Sequence, residues 1–151
     1  MKTNSLTLSF RQVAATDKSP AHLITELRVD GILLGERYVV DVRRLAEALT
    51  REGEYFIFTC GCGDAGCAGI FEGVRSRISG DQVTLVGSLP KGGAFSCVLS
   101  SSRARMAVAV ALAEVQPLAA AMDGDDGYPI GPDGLMDETA LRKALASVCV
   151  C

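Results

Sequence analysis

Residues 23–34 read LITELRVDGILL, and this stretch decides the class of fold. Apolar and polar residues alternate from Leu23 to Val29, which is the period of a half-buried strand. Asp30-Gly31 follows at once, and this pair favours a type I′ turn because both central residues need positive φ. The chain is then expected to return as a strand over Ile32 to Tyr38. The stretch therefore predicts an antiparallel hairpin.

Further strands are expected on both sides of this hairpin. Alternation predicts a strand at Leu6 to Phe10, and the aromatic, β-branched run Glu54 to Thr59 predicts a buried strand. Ser79-Gly80-Asp81-Gln82 indicates the turn of a second hairpin. The strands that flank this turn, and one that follows them, are Ile70 to Ile78, Val83 to Val86 and Ala94 to Leu99.

About three helices are predicted, most of them late in the chain. Asp41 can cap a helix that runs to about Arg51, with Gly53 placed to end it. A second helix is expected from Arg103, kinked or ended near Pro117, and a third from Asp137 to about Ser147. Strands cluster early without βαβ alternation, so the predicted class is α+β, with a mostly antiparallel sheet built from hairpins.

Length and charge narrow the classes of function. A chain of 151 residues fits a single domain, 1–151, with 148–151 as a frayed tail. The net charge is −3 and the Lys and Arg residues are scattered, which argues against nucleic-acid binding. The N-terminus lacks an apolar signal segment, and residues 106–122 are too polar for a membrane span. We therefore expect a cytoplasmic protein whose cysteines are reduced.

The feature of the sequence that most clearly indicates chemical function is the segment TCGCGDAGCAG at residues 59–69. It places Cys60, Cys62 and Cys67 within eight residues, among glycine and alanine that let the backbone bend tightly. Zinc needs four thiolate or imidazole ligands in a tetrahedron. The three thiols could supply three ligands and Cys149, or Cys151, the fourth. This pattern predicts a structural zinc site in a non-enzymatic binding protein.

Two other interpretations of the same cysteines remain open. Cys60 and Cys62 could form a strained, easily reduced disulfide, which would make the protein a thiol–disulfide redox protein. Against this, no Lys, Arg or His lies nearby in sequence to lower a thiol pKa. Alternatively, small residues and thiols simply pack a tight turn, as Cys97 is expected to pack in the core. His22 lies far away in sequence and is a poorer ligand candidate.

The run from Tyr55 to Gly63, followed by residues 66–70, resembles a motif in a family of uncharacterised bacterial proteins. The motif reads F-x-F-T-C-G-C-G-x-x-G-C-A-G-I, and the similarity extends over residues 23–86. The resemblance implies a bacterial protein and makes this segment the signature of the family, without implying an activity. Cys149 and Cys151 are not part of the pattern.

The remaining motifs predict interaction rather than catalysis. Asp123 to Gly127 is acidic, but counting from Asp123 the EF-hand positions 5, 6 and 12 hold Gly127, Tyr128 and Gly134 where an oxygen ligand, a glycine and a glutamate are needed. The alanine-rich helix from Arg103 to Met122 could pack against a partner or a second copy, although packing against the core of its own chain is the favoured interpretation. The acidic charge would also suit a protein-interaction or immunity-type module. We therefore expect a protein partner or self-association.

Overall fold

The fold was analysed in a computed structural model that describes residues 2–14, 16–17, 22–35, 39–59, 70, 72–89 and 93–122. A three-stranded antiparallel sheet in the order β1-β2-β3 comes first along the chain. Its strands are β1 (Leu6–Val13), β2 (His22–Val29) and β3 (Ile32–Leu34). The β1–β2 register is unbroken, from Leu6 opposite Val29 to Val13 opposite His22.

The Asp30-Gly31 turn has the predicted type I′ character. Asp30 has φ of 50° and Gly31 has φ of 80°, which is the left-handed region that this turn requires. Strand β3 is shorter than predicted and ends at Leu34, because Gly35 also takes a positive φ, 65°, and bends the chain out of the strand. The predicted hairpin is therefore confirmed, with a shorter return strand.

A second, four-stranded antiparallel sheet has the order β5-β7-β8-β9. The predicted turn joins two of these strands at Gly80 and Asp81, and the strand expected from Ile70 begins only at Val74. The strands are β5 (Gly53–Tyr55), β7 (Val74–Ser79), β8 (Gln82–Ser88) and β9 (Ala94–Ser100).

The single strand expected over residues 54–59 is wrong. The chain leaves the four-stranded sheet after Tyr55, exposes Phe56, and pairs as β6 (Phe58–Thr59) with β4 (Val39–Val40). Between the two strands, Asp41 N–H donates to the Ile57 carbonyl oxygen at 2.7 Å. An aromatic and β-branched run predicts extended backbone but does not reveal that its two ends pair with different strands.

Asn4 joins the two larger sheets. Its backbone N–H donates to the Val98 carbonyl oxygen at 2.6 Å, and its side-chain oxygen accepts from Val98 N–H at 2.8 Å. The residue forms a parallel bridge with Leu99. The segment that leads into β1 therefore continues the four-stranded sheet beyond β9.

Helix α1 (Val42–Thr50) begins at the predicted cap, since an Asp41 carboxylate oxygen accepts from Arg44 N–H at 3.2 Å. Its end differs from the prediction. The helix stops at Thr50 and Gly53 belongs to β5. The last carbonyl groups are satisfied by side chains instead of a glycine cap, because Ser76 Oγ donates to Ala48 and Ser101 Oγ to Leu49.

Helix α2 (Ser101–Met122) follows β9 directly and begins two residues before the predicted start. Asp81 caps it from the β7–β8 turn. One carboxylate oxygen accepts from Ser102 N–H at 2.9 Å, and the backbone oxygen accepts from Ser101 N–H at 2.6 Å. Of the two outcomes predicted for Pro117, a kink or an end, the end is wrong, because the helix runs to Met122. A proline inside a helix removes one donor, and here the helical backbone continues past it.

The fold class is α+β, with antiparallel sheets, strands early and the longer helix late. The described part contains two helices. The third predicted helix, from Asp137, and the predicted tail lie outside the described residues. Helices α1 and α2 contact each other, α2 contacts β1 and β9, and α1 contacts β5 and β7. The buried core includes Leu8, Leu27, Val40, Leu45, Leu49, Ile57, Val83, Leu85, Leu99 and Val108.

Candidate functional site

The cysteine segment, residues 60–69, is entered from the core of the protein. Strand β6 ends at Thr59, and Phe58 and Thr59 are both buried. The Phe58 ring contacts the Phe95 ring edge to face, with ring centres 6.2 Å apart. The prediction that a buried strand leads directly into this segment is confirmed for β6. The first cysteine therefore follows a residue whose position is fixed by packing.

The part of the chain that follows the cysteine segment is also fixed in position by contacts. Ile70 is half-buried and packs against the core. Gly73 N–H donates to a Glu54 carboxylate oxygen at 2.7 Å, and Tyr55 pairs with Val74 in the β5–β7 ladder. Since Tyr55 precedes the segment and Val74 follows it, this pairing closes residues 56–73 into a loop. Both ends of the cysteine segment are therefore anchored.

The four predicted metal ligands, Cys60, Cys62, Cys67 and Cys149, lie outside the described residues, and so do both redox candidates. Among the residues that the structure does describe, no three His, Cys, Asp or Glu side chains come together as a possible metal site. His22 lies at the start of β2, as expected from its position in the sequence.

Cys97 is a core residue, which confirms the prediction for it. It lies in β9 and is 4% exposed. Burial raises the pKa of its thiol to about 11, and a hydrogen bond with the Leu85 backbone only partly opposes this effect. At neutral pH the thiol is protonated, and a protonated, buried thiol is neither a nucleophile nor a metal ligand. Cys97 is therefore separate in chemistry from the cysteine segment.

A groove of about 510 Å³ lies beside the return end of the segment. Its walls carry charges of both signs, from Glu54, Glu72 and Arg75. The hydrogen bond from Gly73 to Glu54 forms part of this wall. Sequence reasoning missed the anchoring role of Glu54, because a glutamate in a predicted buried strand carries no local signal for a bond to residue 73. The remaining lining residues are Gly73, Val86, Gly87, Ser88 and Ala94.

No protein-family model, curated protein or solved structure matches this chain. Across the described residues, neither helix combines the length and the apolar character needed to cross a bilayer. The function is therefore inferred from the residues and from their geometry.

Proposed function

We propose that this protein is a non-enzymatic, cytoplasmic binding protein whose cysteine segment holds a structural zinc ion. The ligands are Cys60, Cys62 and Cys67, with Cys149 as the fourth. The observation that carries the proposal is the anchoring of the segment at both ends, by β6 on one side and by the Glu54–Gly73 bond and β5–β7 pairing on the other.

Anchoring matters because a metal site must order its ligands. The entropic cost of bringing two chain ends together is already met by the β5–β7 ladder. For three of the four ligands, only the short segment itself remains to be arranged around the ion, and its glycines give the backbone the conformations that this requires, whereas Cys149 must be brought to the ion from the C-terminal end of the sequence. Zinc bound by thiolates at about 2.3 Å would then fix the segment against the core.

The groove beside the segment supports a binding function. It places Glu54, Glu72 and Arg75 next to the return end, so a partner that docks there would contact a surface whose shape depends on the zinc site. Both signs of charge favour a protein or peptide partner over a polyanion such as a nucleic acid.

Metal analysis of freshly purified protein, prepared without added zinc, tests the proposal. We expect about one zinc per chain, and three or four thiols that react with a thiol reagent only after chelation. Cys62→Ser should lose the metal. Cys97→Ala is the matched control and should keep it, because Cys97 is a protonated core residue. Cys149→Ser tests the fourth ligand and should weaken zinc binding.

The same experiment separates the alternatives. A reversible Cys60–Cys62 disulfide in metal-free protein would contradict the zinc site and favour the redox protein. Reduced thiols without metal would contradict both, and together with a co-purifying protein they would favour an interaction module whose cysteines only pack a turn.

A further inference from the structure

Two arginines of β7 lie on the solvent face of the four-stranded sheet. Ser76 in β7 and Ser101 after β9 both donate to the end of α1, so α1 and the start of α2 lie on one face of this sheet. Successive side chains of a strand point to opposite faces, and Arg75 and Arg77 therefore lie on the other face. Both arginines are exposed, so they are accessible to a partner.

Neither guanidinium is engaged within the described part of the chain. Arg75 lies opposite Glu54 in the β5–β7 ladder, which is the position for a cross-strand ion pair. The Glu54 carboxylate accepts from Gly73 N–H at 2.7 Å instead. In the same way, the Glu52 carboxylate accepts from Ile78 N–H at 2.9 Å. The ion pairs of the described residues include neither arginine, so both guanidinium groups have unused donors.

The strands beside the arginines present apolar and hydroxyl side chains. Val86 lies opposite Arg75 in β8 and is 47% exposed. Ser96 lies opposite Val86 in β9 and is exposed as well. Strands β8 and β9 contain no acidic residue, so a carboxylate that approaches the arginines over these strands meets no like charge there. The face is therefore complementary to a negatively charged partner.

We propose that this face binds an extended acidic segment of a protein partner, with one carboxylate on Arg75 and another on Arg77. Two residues along a strand span about 7 Å, and alternate side chains of an extended peptide recur at the same spacing. A Glu-x-Glu sequence therefore places its two carboxylates opposite the two guanidinium groups, where each pair can form two parallel hydrogen bonds. The inference rests on the proposed binding function and names the chemistry of its partner.

The groove of about 510 Å³ adds a requirement for an apolar side chain beside the acidic pair. It extends from Arg75 toward the start of β7, and it is lined by Val86 and by the small residues Gly87, Ser88 and Ala94. Glu72 also lines the groove and would repel a further carboxylate there. The face therefore suits a segment that is acidic at two alternate positions and apolar at the next, and it disfavours a uniformly charged polyanion.

Titration with synthetic peptides tests the inference. The probe is acetyl-Val-Ser-Glu-Ser-Glu-Ser-Val-amide, and the control peptide has glutamine in place of both glutamates. We expect the acidic peptide to bind at low ionic strength, where exposed ion pairs are screened least, and the glutamine peptide to bind about tenfold more weakly. Arg75→Gln and Arg77→Gln should each weaken the binding of the acidic peptide by about fivefold.

Val86→Glu separates binding from the stability of the fold. A glutamate at this position lies opposite Arg75 and can pair with its guanidinium, so the thermal midpoint should not fall while the peptide loses one of its partners. We expect the acidic peptide to bind this variant about fivefold more weakly. Arg103→Gln changes the net charge by the same amount at an exposed position of α2, so it is the matched control and should bind like the wild type.

Equal binding of the two peptides would overturn the inference, and so would equal affinities of Val86→Glu and Arg103→Gln for the acidic peptide. A single-stranded oligonucleotide that binds more tightly than this peptide, and that loses affinity in Arg75→Gln, would also overturn it by identifying a nucleic acid as the partner. Zinc is measured in the same samples. Zinc-loaded protein that does not distinguish the peptides overturns this inference alone, whereas zinc-free protein that prefers the acidic peptide supports it and contradicts the zinc site.

Discussion

The two larger sheets use the same kinds of residue for different purposes. Each contains a two-residue hairpin turn with an aspartate, and each carries a buried hydroxyl group on a strand. In the three-stranded sheet the turn is Asp30-Gly31 and the hydroxyl is that of Thr25. In the four-stranded sheet the turn is Gly80-Asp81 and the hydroxyl is that of Ser76. The differences lie in what these groups contact.

The aspartates hold different segments. The Asp30 carboxylate accepts from Ser5 N–H at 2.7 Å and from Asn4 Nδ2 at 2.6 Å, so it ties the N-terminal segment to its own sheet. The Asp81 carboxylate accepts from Ser102 N–H and from the hydroxyls of Ser100 and Ser102, so it caps α2. The Asp30 turn therefore stabilises the segment that leads into β1, and the Asp81 turn stabilises the start of α2.

The hydroxyls differ more sharply. Ser76 Oγ donates to the Ala48 carbonyl oxygen at the end of α1. Thr25 is 2% exposed, and its Oγ1 finds no hydrogen-bond partner among the described residues. A buried, unpaired hydroxyl costs stability, whereas a paired one contributes to it. The two sheets should therefore respond to loss of the hydroxyl with opposite signs.

Ser76→Ala is expected to give the largest effect. It removes the donor and leaves the Ala48 carbonyl buried without its partner, which should lower the free energy of unfolding by about 2 kcal/mol. Urea denaturation measures this change. Ser79→Ala is the control, because Ser79 is exposed on the same strand, and it should change stability by less than about 0.5 kcal/mol. Equal losses from both variants would show that the Ser76 bond contributes nothing.

Thr25→Val should act in the opposite direction and by less. Valine has nearly the same shape and removes a hydroxyl that has no described partner, so the free energy of unfolding should rise by about 1 kcal/mol. Thr7→Val, at an exposed position of β1, controls for the higher strand propensity of valine. A clear loss of stability in Thr25→Val would mean that the hydroxyl is paired in solution.

The sequence allowed the local parts of this comparison to be predicted. Asp30-Gly31 specifies its turn through backbone conformation, and Asp41 caps α1 from three residues away, so both are visible in a short window. Asp81 capping α2 and Ser76 bonding the end of α1 join residues 20 or more positions apart. No local pattern encodes such contacts, and for the same reason the break between β5 and β6 was missed.

The candidate site also combines features that a local sequence pattern predicts with contacts between residues that are far apart in sequence. The spacing of Cys60, Cys62 and Cys67 is a local pattern, and so is the strand that leads into the segment. The bond from Gly73 to Glu54, which helps to close the loop, spans 19 residues and became visible only in the fold. Cys97 could be assigned to the core because its apolar neighbours in β9 lie beside it in sequence.

The two turns can be compared directly through acid denaturation, which should show the smallest effect. Hydrogen bonding from Ser5 N–H, and then from Asn4, lowers the pKa of Asp30 from its ordinary value of 3.8. Hydrogen bonding from the Ser100 hydroxyl, and then from Ser102, lowers that of Asp81 from the same value. A carboxyl whose pKa is lowered by folding stabilises the fold above its unfolded pKa, and this contribution disappears as the pH falls through the folded value. Stability should therefore decline below about pH 4.

Asp30→Asn and Asp81→Asn assign this decline to the two turns. Each asparagine keeps the shape of the side chain but cannot titrate, so each variant should lose part of the pH dependence seen in urea midpoints between about pH 6 and pH 3. Asp81→Asn should remove more of it, because the Asp81 carboxylate accepts from three donors and that of Asp30 from two. An equal change in both variants would mean that the Asp81 carboxylate at the start of α2 and the Asp30 carboxylate at the N-terminal segment contribute equally to the pH dependence of stability. If the urea midpoint of the double variant falls with pH as steeply as that of the wild type, the groups that titrate lie elsewhere in the chain.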